Sequence, residues 1–202
     1  MNHSRICRSL RLRPGFTLIE ALVSISIAAI AGSVLLVGIG SSIQATDEAL
    51  QQTIACGMAE QLMDEVVGLR YMEFQCSAHD TVLQPGGAEA ATGTRELFDD
   101  IDDYNGFRCS PPTDRWGIEL GKDDGEGGIR HPSFQAPDGF FDRWRQEVDV
   151  YYVDAADPYT RLAAGQTSDY RTVEVRIMRD NPEGGSRALA RLRRIVAYVP
   201  PL

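Results

Sequence analysis

Residues 15–20 read Gly15-Phe16-Thr17-Leu18-Ile19-Glu20, and residues 21–40 continue as ALVSISIAAIAGSVLLVGIG. One carboxylate stands at the start of a run in which residues 21–40 carry no charge. As a helix, twenty residues span about 30 Å, close to one hydrocarbon core. The preceding residues carry Arg5, Arg8, Arg11 and Arg13 and no acid. Positive charge on the N-terminal side of an apolar segment holds that end in the cytoplasm. A cleaved secretory peptide has a shorter apolar region, ~7–15 residues, with small residues at its far end. Here the small residue, Gly15, precedes the apolar run, so cleavage after it removes the leader and leaves the hydrophobic helix on the mature chain.

This arrangement resembles the class III signal of type IV pilins and type II secretion pseudopilins. The resemblance implies that prepilin peptidase cuts after Gly15 and that Phe16 becomes the methylated first residue. It also makes Glu20 the acid used in assembly and register. A carboxylate near a helix end in lipid is costly and normally has a partner. Three arrangements are open: Glu20 meets the amine of its own Phe16, meets that amine in a neighbouring subunit, or stays at the headgroups unpaired. The second would set axial register, as a lone polar residue does in a coiled coil. Many members of the family carry a proline in the first helix where this chain has Val37.

The chain has 20 basic and 29 acidic residues, a net charge of −9. Loss of the leader removes four arginines and no acid, leaving 16 bases against 29 acids, or −13. Such an acidic chain is poorly suited to nucleic acid, which selects basic patches.

Beyond the span, Leu50, Ile54, Met58, Leu62 and Val66 recur every fourth residue, with Ala55, Ala59, Met63 and Val67 beside them. That is an amphipathic helix to about Arg70. Joined to the span it predicts one helix from about Phe16 to Tyr71, roughly 80 Å long at the usual rise. Gly38, Gly40, Ser41 and Ser42 favour a bend or local melting, since glycine weakens a helix by up to ~1 kcal/mol relative to alanine.

Residues 73–143 carry weak signals. Residues 86–94 are rich in Gly, Ala and Thr and read as a loop, and Arg95–Asp103 can form a short helix with Leu97, Phe98 and Ile101 on one face. The string Phe98-Asp99-Asp100-Ile101-Asp102-Asp103-Tyr104 resembles the D-like branch of MSHA-type minor pilins. Asp99, Asp100, Asp102 and Asp103, and Asp123 and Asp124 in a second acidic loop, are candidate calcium ligands; neither loop has EF-hand spacing.

The C-terminal part alternates as antiparallel sheet. Arg145–Asp154 sets Val148, Val150 and Tyr152 against Asp149, Tyr151 and Val153, and Tyr170–Arg179 sets Val173, Val175 and Ile177 against Thr172, Glu174 and Arg176. Arg191–Val199 is a third run, joined to the second through the turn residues 180–186. The expected fold is α+β: a long N-terminal helix, half membrane and half amphipathic, packed on an antiparallel sheet of three or four strands. Trp116 and Trp144 are expected at the sheet edge. The divisions are a leader at 1–15, a transmembrane and assembly helix at 16–43, an amphipathic helix at 44–72, an irregular region at 73–143 and sheet at 144–202.

Cys7 leaves with the leader, and Cys56, Cys76 and Cys109 remain. Cys56 falls among the alanines of the helix as a free thiol. A Cys76–Cys109 disulfide would close a loop of about thirty residues, worth a few kcal/mol in the chain-entropy description. His79 and His131 stand apart from any residue at metal-ligand spacing, and no nucleophile elbow or phosphate loop is present. A structural role is therefore expected, not an enzyme, with no cofactor except calcium. The expected partners are other pilin or pseudopilin subunits, prepilin peptidase, an inner-membrane assembly platform and the lipid bilayer. The resemblance implies a single-pass inner-membrane protein with a cytoplasmic N-terminus and a periplasmic C-terminal domain, which then joins a pilus or pseudopilus. A filament-borne adhesive module and a membrane-anchored periplasmic protein outside any filament are the alternative readings.

Overall fold

A computed structural model describes residues 15–74, 76–125 and 127–200. The basic leader, with Cys7, lies outside the described residues apart from Gly15. Helix α1 runs Leu18–Val67 without a break. The local melting expected near Gly38 and Gly40 does not occur, since the helix continues through both; a side chain at either position would meet open space. The chain divides into two compact units, one ending at Glu48 and one from Ala49 onward.

In the first unit, apolar side chains from Leu18 to Ile43 are exposed on every side of α1. The helix is long and apolar enough to cross a membrane by length and composition. Four of its hydroxyls are already satisfied: Ser24, Ser26, Ser33 and Ser41 donate to the carbonyls of Glu20, Leu22, Ile30 and Gly38 at 2.7, 2.9, 2.8 and 3.0 Å. Back-bonding of this kind removes the cost of placing a free hydroxyl in hydrocarbon.

In the second unit, the buried face of α1 is Gln51, Ala55, Met58, Ala59, Leu62, Met63 and Val66. The stripe is shifted from the expected one: Leu50 is exposed, and Gln51 is buried because it accepts a hydrogen bond from Arg179. Ala55 and Ala59 are fully buried, and their small size lets helix and sheet backbones approach closely. The helix ends at Val67. Gly68 and Leu69 form a last tight turn on the carbonyls of Asp64 and Val66, and Arg70 then exchanges backbone hydrogen bonds with Asp99 and Ile101.

The sheet is an antiparallel meander of four strands in the order β1 (Arg108–Cys109), β2 (Trp144–Tyr152), β3 (Tyr170–Asp180) and β4 (Ser186–Ala197). Val148, Val150, Val173, Val175 and Ile177 join the α1 stripe in one core. The β3–β4 turn needs its glycines: Gly184 and Gly185 sit at φ 100° and 83°, where a side chain is strained. Strand β1 has two residues and no alternation to reveal it. Trp144 stands where β2 is outermost, since β1 pairs only with Gln146 and Glu147, but its side chain is buried in the core. It opens β2 at 1 % exposure, with Phe140 and Phe141 rings at 5.8 and 5.4 Å. Trp116 is exposed in a turn.

The sheet face away from α1 is an ion network. Arg176 reaches Glu147, Asp149 and Glu174; Arg108 joins Asp149, Arg145 joins Glu147, and Arg191 joins Glu174. Burial alone would raise these three carboxyls, but the surrounding guanidinium groups outweigh it and hold all three below the usual range.

The expected helix over Arg95–Asp103 does not form. Asp100 accepts from the Asp102 and Asp103 amides at 2.7 and 3.3 Å, and Asp103 accepts from the Asp99 and Asp100 amides at 3.0 and 3.3 Å. These side-chain caps capture the amides that a helix would use, and only a 3-10 turn, Asp102–Tyr104, is left. Phe98 and Ile101 still reach the core, while Leu97 is exposed.

Candidate functional site

The start of α1 is built by two side chains. Thr17 precedes the first helical residue, and Glu20 stands three positions later. The Glu20 amide donates to Thr17 Oγ1 at 3.3 Å, and the Thr17 amide donates to Glu20 Oε2 at 3.5 Å. Thr17 Oγ1 also donates to Glu20 Oε2 at 3.3 Å. This is a reciprocal capping box, which satisfies two amides that a helix start otherwise leaves open. The negative carboxylate also lies where the helix dipole is positive. None of the three arrangements expected for Glu20 included this one, although Thr17-x-x-Glu20 is a readable signature. Gly15 and Phe16 lie outside the helix and are exposed, so the bond between them is sterically open.

Residues 10–36 match the prokaryotic N-terminal methylation motif. The motif is the class III signal of type IV pilin-like and pseudopilin precursors, and it spans the leader end, Gly15, Phe16, the capping box and the first turns of α1. Such a signal implies processing by prepilin peptidase, and with the apolar helix it suggests membrane anchoring. No curated protein and no solved structure matches the chain.

The other candidate residues lie in the second unit. Asp102 is bound by Arg171 Nη1 at 2.6 Å, and Asp99 by Arg70. Glu73, Asp99 and Asp100 bring one carboxylate oxygen each within 4.8 Å of one another, as do Glu89, Asp99 and Asp103. The acidic string thus splits: Asp102 is committed to a guanidinium, while Glu73 and Glu89, which the reading of residues 98–104 missed, arrive from distant segments. Asp123 accepts from the Arg130 amide and from Gln135, and Asp124 accepts from the Gly128 amide. Neither belongs to a metal-sized group among the described residues.

The Cys76–Cys109 disulfide is not formed; Cys56, Cys76 and Cys109 are free. Strand β1 fixes Cys109 opposite Gln146, and its thiol lies 3.2 Å from Pro111 O and 3.3 Å from Thr113 Oγ1. Cys76 is exposed on a separate loop, lining an acidic cavity with Glu73, Asp80 and Asp100. His79 pairs with Asp169 at 2.9 Å, and His131 Nδ1 accepts from the Ser133 amide.

Burial, reinforced by the charge of Asp100, raises the Asp103 carboxyl to about 7 despite its backbone hydrogen bonds. Asp100 is raised in the same direction, again chiefly by burial. The unfolded chain ionises these acids near the ordinary carboxylate value, so they contribute stability below that value and lose it as pH rises through 7. Between pH 5 and 8 the melting temperature is expected to fall by about 5–10 °C. Asp103→Asn should flatten that slope, as thermal melts across the pH series would read.

Proposed function

We propose that the chain is a minor pilin or pseudopilin, a structural subunit of a type IV pilus-like or type II secretion filament with no catalytic role. In this reading prepilin peptidase cleaves after Gly15, Phe16 is methylated, and the apolar half of α1 holds the subunit in the inner membrane until assembly. The observation that carries the proposal is the coincidence of the matched motif with an exposed Gly15–Phe16 bond and a helix start fixed by Glu20. A further support is the apolar surface of Leu18–Ile43, which no other described residue of its unit covers.

Residues 73–143 favour a minor subunit with a recognition role. The region is long and mostly irregular, and it exposes Trp116, Ile129 and Phe134 at 65, 84 and 70 %. Exposed large apolar groups of this kind mark contact surfaces more often than spacer. The acidic string supports placement near the D-like MSHA-type minor pilins. The test is recovery of the chain in filaments sheared from the cell surface, or in pseudopilus fractions. Retention of all of it in the membrane fraction would favour an anchored protein outside any filament.

A further inference from the structure

The two margins of the sheet are finished differently. On the β2 side, Arg108 and Cys109 pair with Glu147 and Gln146. Gly106 donates to Val148 O, and Val148 donates back to Phe107 O. The Val150 amide donates to Asn105 Oδ1 at 3.0 Å, Ser110 Oγ donates to Trp144 O at 3.0 Å, and the Leu162 amide donates to Tyr152 O at 3.0 Å. That edge is occupied at intervals from Trp144 to Tyr152. On the other side β4 runs for 12 residues. Among the described residues, no backbone hydrogen bond from β4 goes anywhere but to β3 or the β3–β4 hairpin itself.

The open strand is chemically one-sided. It carries Arg187, Arg191, Arg193 and Arg194 and no acid, in a chain where acids outnumber bases 29 to 20. Arg191 and Arg193 share a sheet face with Ile195, which is 42 % exposed, while Arg194 lies on the opposite face. A row of unpaired amides and carbonyls is a template for another strand, and these arginines bias which strand it accepts.

We propose that the free edge of β4 is a docking site for an acidic, extended segment of a different protein chain, which adds to the sheet as a fifth strand. A second copy of this chain does not fit. Pairing β4 with β4 would set arginines against arginines, which is destabilising across a ladder, and the copy's other edge is already occupied at Trp144, Val148, Val150 and Tyr152. The incoming strand instead sets carboxylates beside Arg187 and Arg191, Arg194 being already paired with Asp64 at 3.2 Å, while main-chain hydrogen bonds supply the affinity. The surface is independent of how the N-terminus is processed.

Amide hydrogen exchange on the full-length chain in detergent tests this. The probe is a peptide of about nine residues of Glu, Thr and Val with glutamates on both faces of the strand, a length typical of a strand, with a Lys-for-Glu counterpart as control. The acidic peptide is expected to slow the β4 amides directed away from β3 by about tenfold or more, and the lysine peptide is not. Arg187→Glu with Arg191→Glu should reverse that preference. Because Arg191 also bonds Glu174, Arg187→Glu alone serves as the milder variant and should weaken the acidic peptide. Absence of β4 protection, equal protection by both peptides, or protection by phosphatidylglycerol vesicles in place of the acidic peptide would overturn the proposal. The first of these would mean that the arginines only guard the edge.

Discussion

Arg171→Met is expected to destabilise the second unit by about 3–5 kcal/mol, the range for stripping one partner from a buried ion pair. Arg171 is completely buried on β3. Its guanidinium donates to Asp102, to the carbonyls of Tyr71 and Ala78, and to Tyr152 Oη. It also lies over the Tyr71 and Tyr152 rings at 4.3 and 4.9 Å. One side chain thereby ties the segment leaving α1, the acidic turn and the end of β2 to the sheet. Methionine fills much of the volume and supplies none of the donors, so a carboxylate and two carbonyls lose a partner in the interior. Urea denaturation followed through buried Trp144 measures the loss. Burial already raises the Asp102 carboxyl to about 7 against the pull of Arg171, so Asp102→Asn added to Arg171→Met should recover part of the loss at pH above 7, where the unpaired acid would otherwise have to be held protonated. A single variant within about 1 kcal/mol of the parent would show that these segments are held by apolar packing instead.

Glu20→Ala is expected to reduce incorporation into filaments by about tenfold or more while cleavage after Gly15 continues. A lost register contact worth only 1.4 kcal/mol is already tenfold in an assembly equilibrium. The substitution removes the capping box, worth about 0.5–2 kcal/mol at a helix start, and with it the carboxylate that can meet the amine of Phe16. Glu20→Gln separates these roles. Glutamine can keep the reciprocal bond to Thr17 but carries no charge, so it should preserve the helix start and still fail in assembly. If Glu20→Gln assembles normally, the cap and not the charge is what Glu20 contributes. Immunoblots of sheared and membrane fractions, with the cleaved and uncleaved forms resolved, read both outcomes.

Legibility of the chain followed the strength of its periodicity. The apolar span and the alternating runs around Val148, Val173 and Leu192 announced themselves, because lipid and a half-buried sheet impose regular patterns. The amphipathic stripe was readable to within one position; its shift came from Gln51, whose burial depends on Arg179, 128 residues away. The acidic string misled because helix periodicity at Phe98 and Ile101 coexists with aspartates that prefer to cap amides. Arg171 left one clue, a charge in phase with the inward Val173, Val175 and Ile177, but its partners at 71, 78, 102 and 152 could not be found from spacing. At the N-terminal junction, Gly15, Phe16 and Glu20 were legible together. Thr17 was overlooked, although Thr-x-x-Glu before an apolar run is a local signal.

The proposed role of Gly15–Glu20 in making a processed filament subunit is read out by mass analysis of the N-terminus of chains recovered from sheared filaments. The expected product is a chain lacking residues 1–15 and beginning with Phe16 bearing one methyl group. An N-terminus at any other residue, or the absence of the chain from every filament fraction, would contradict it.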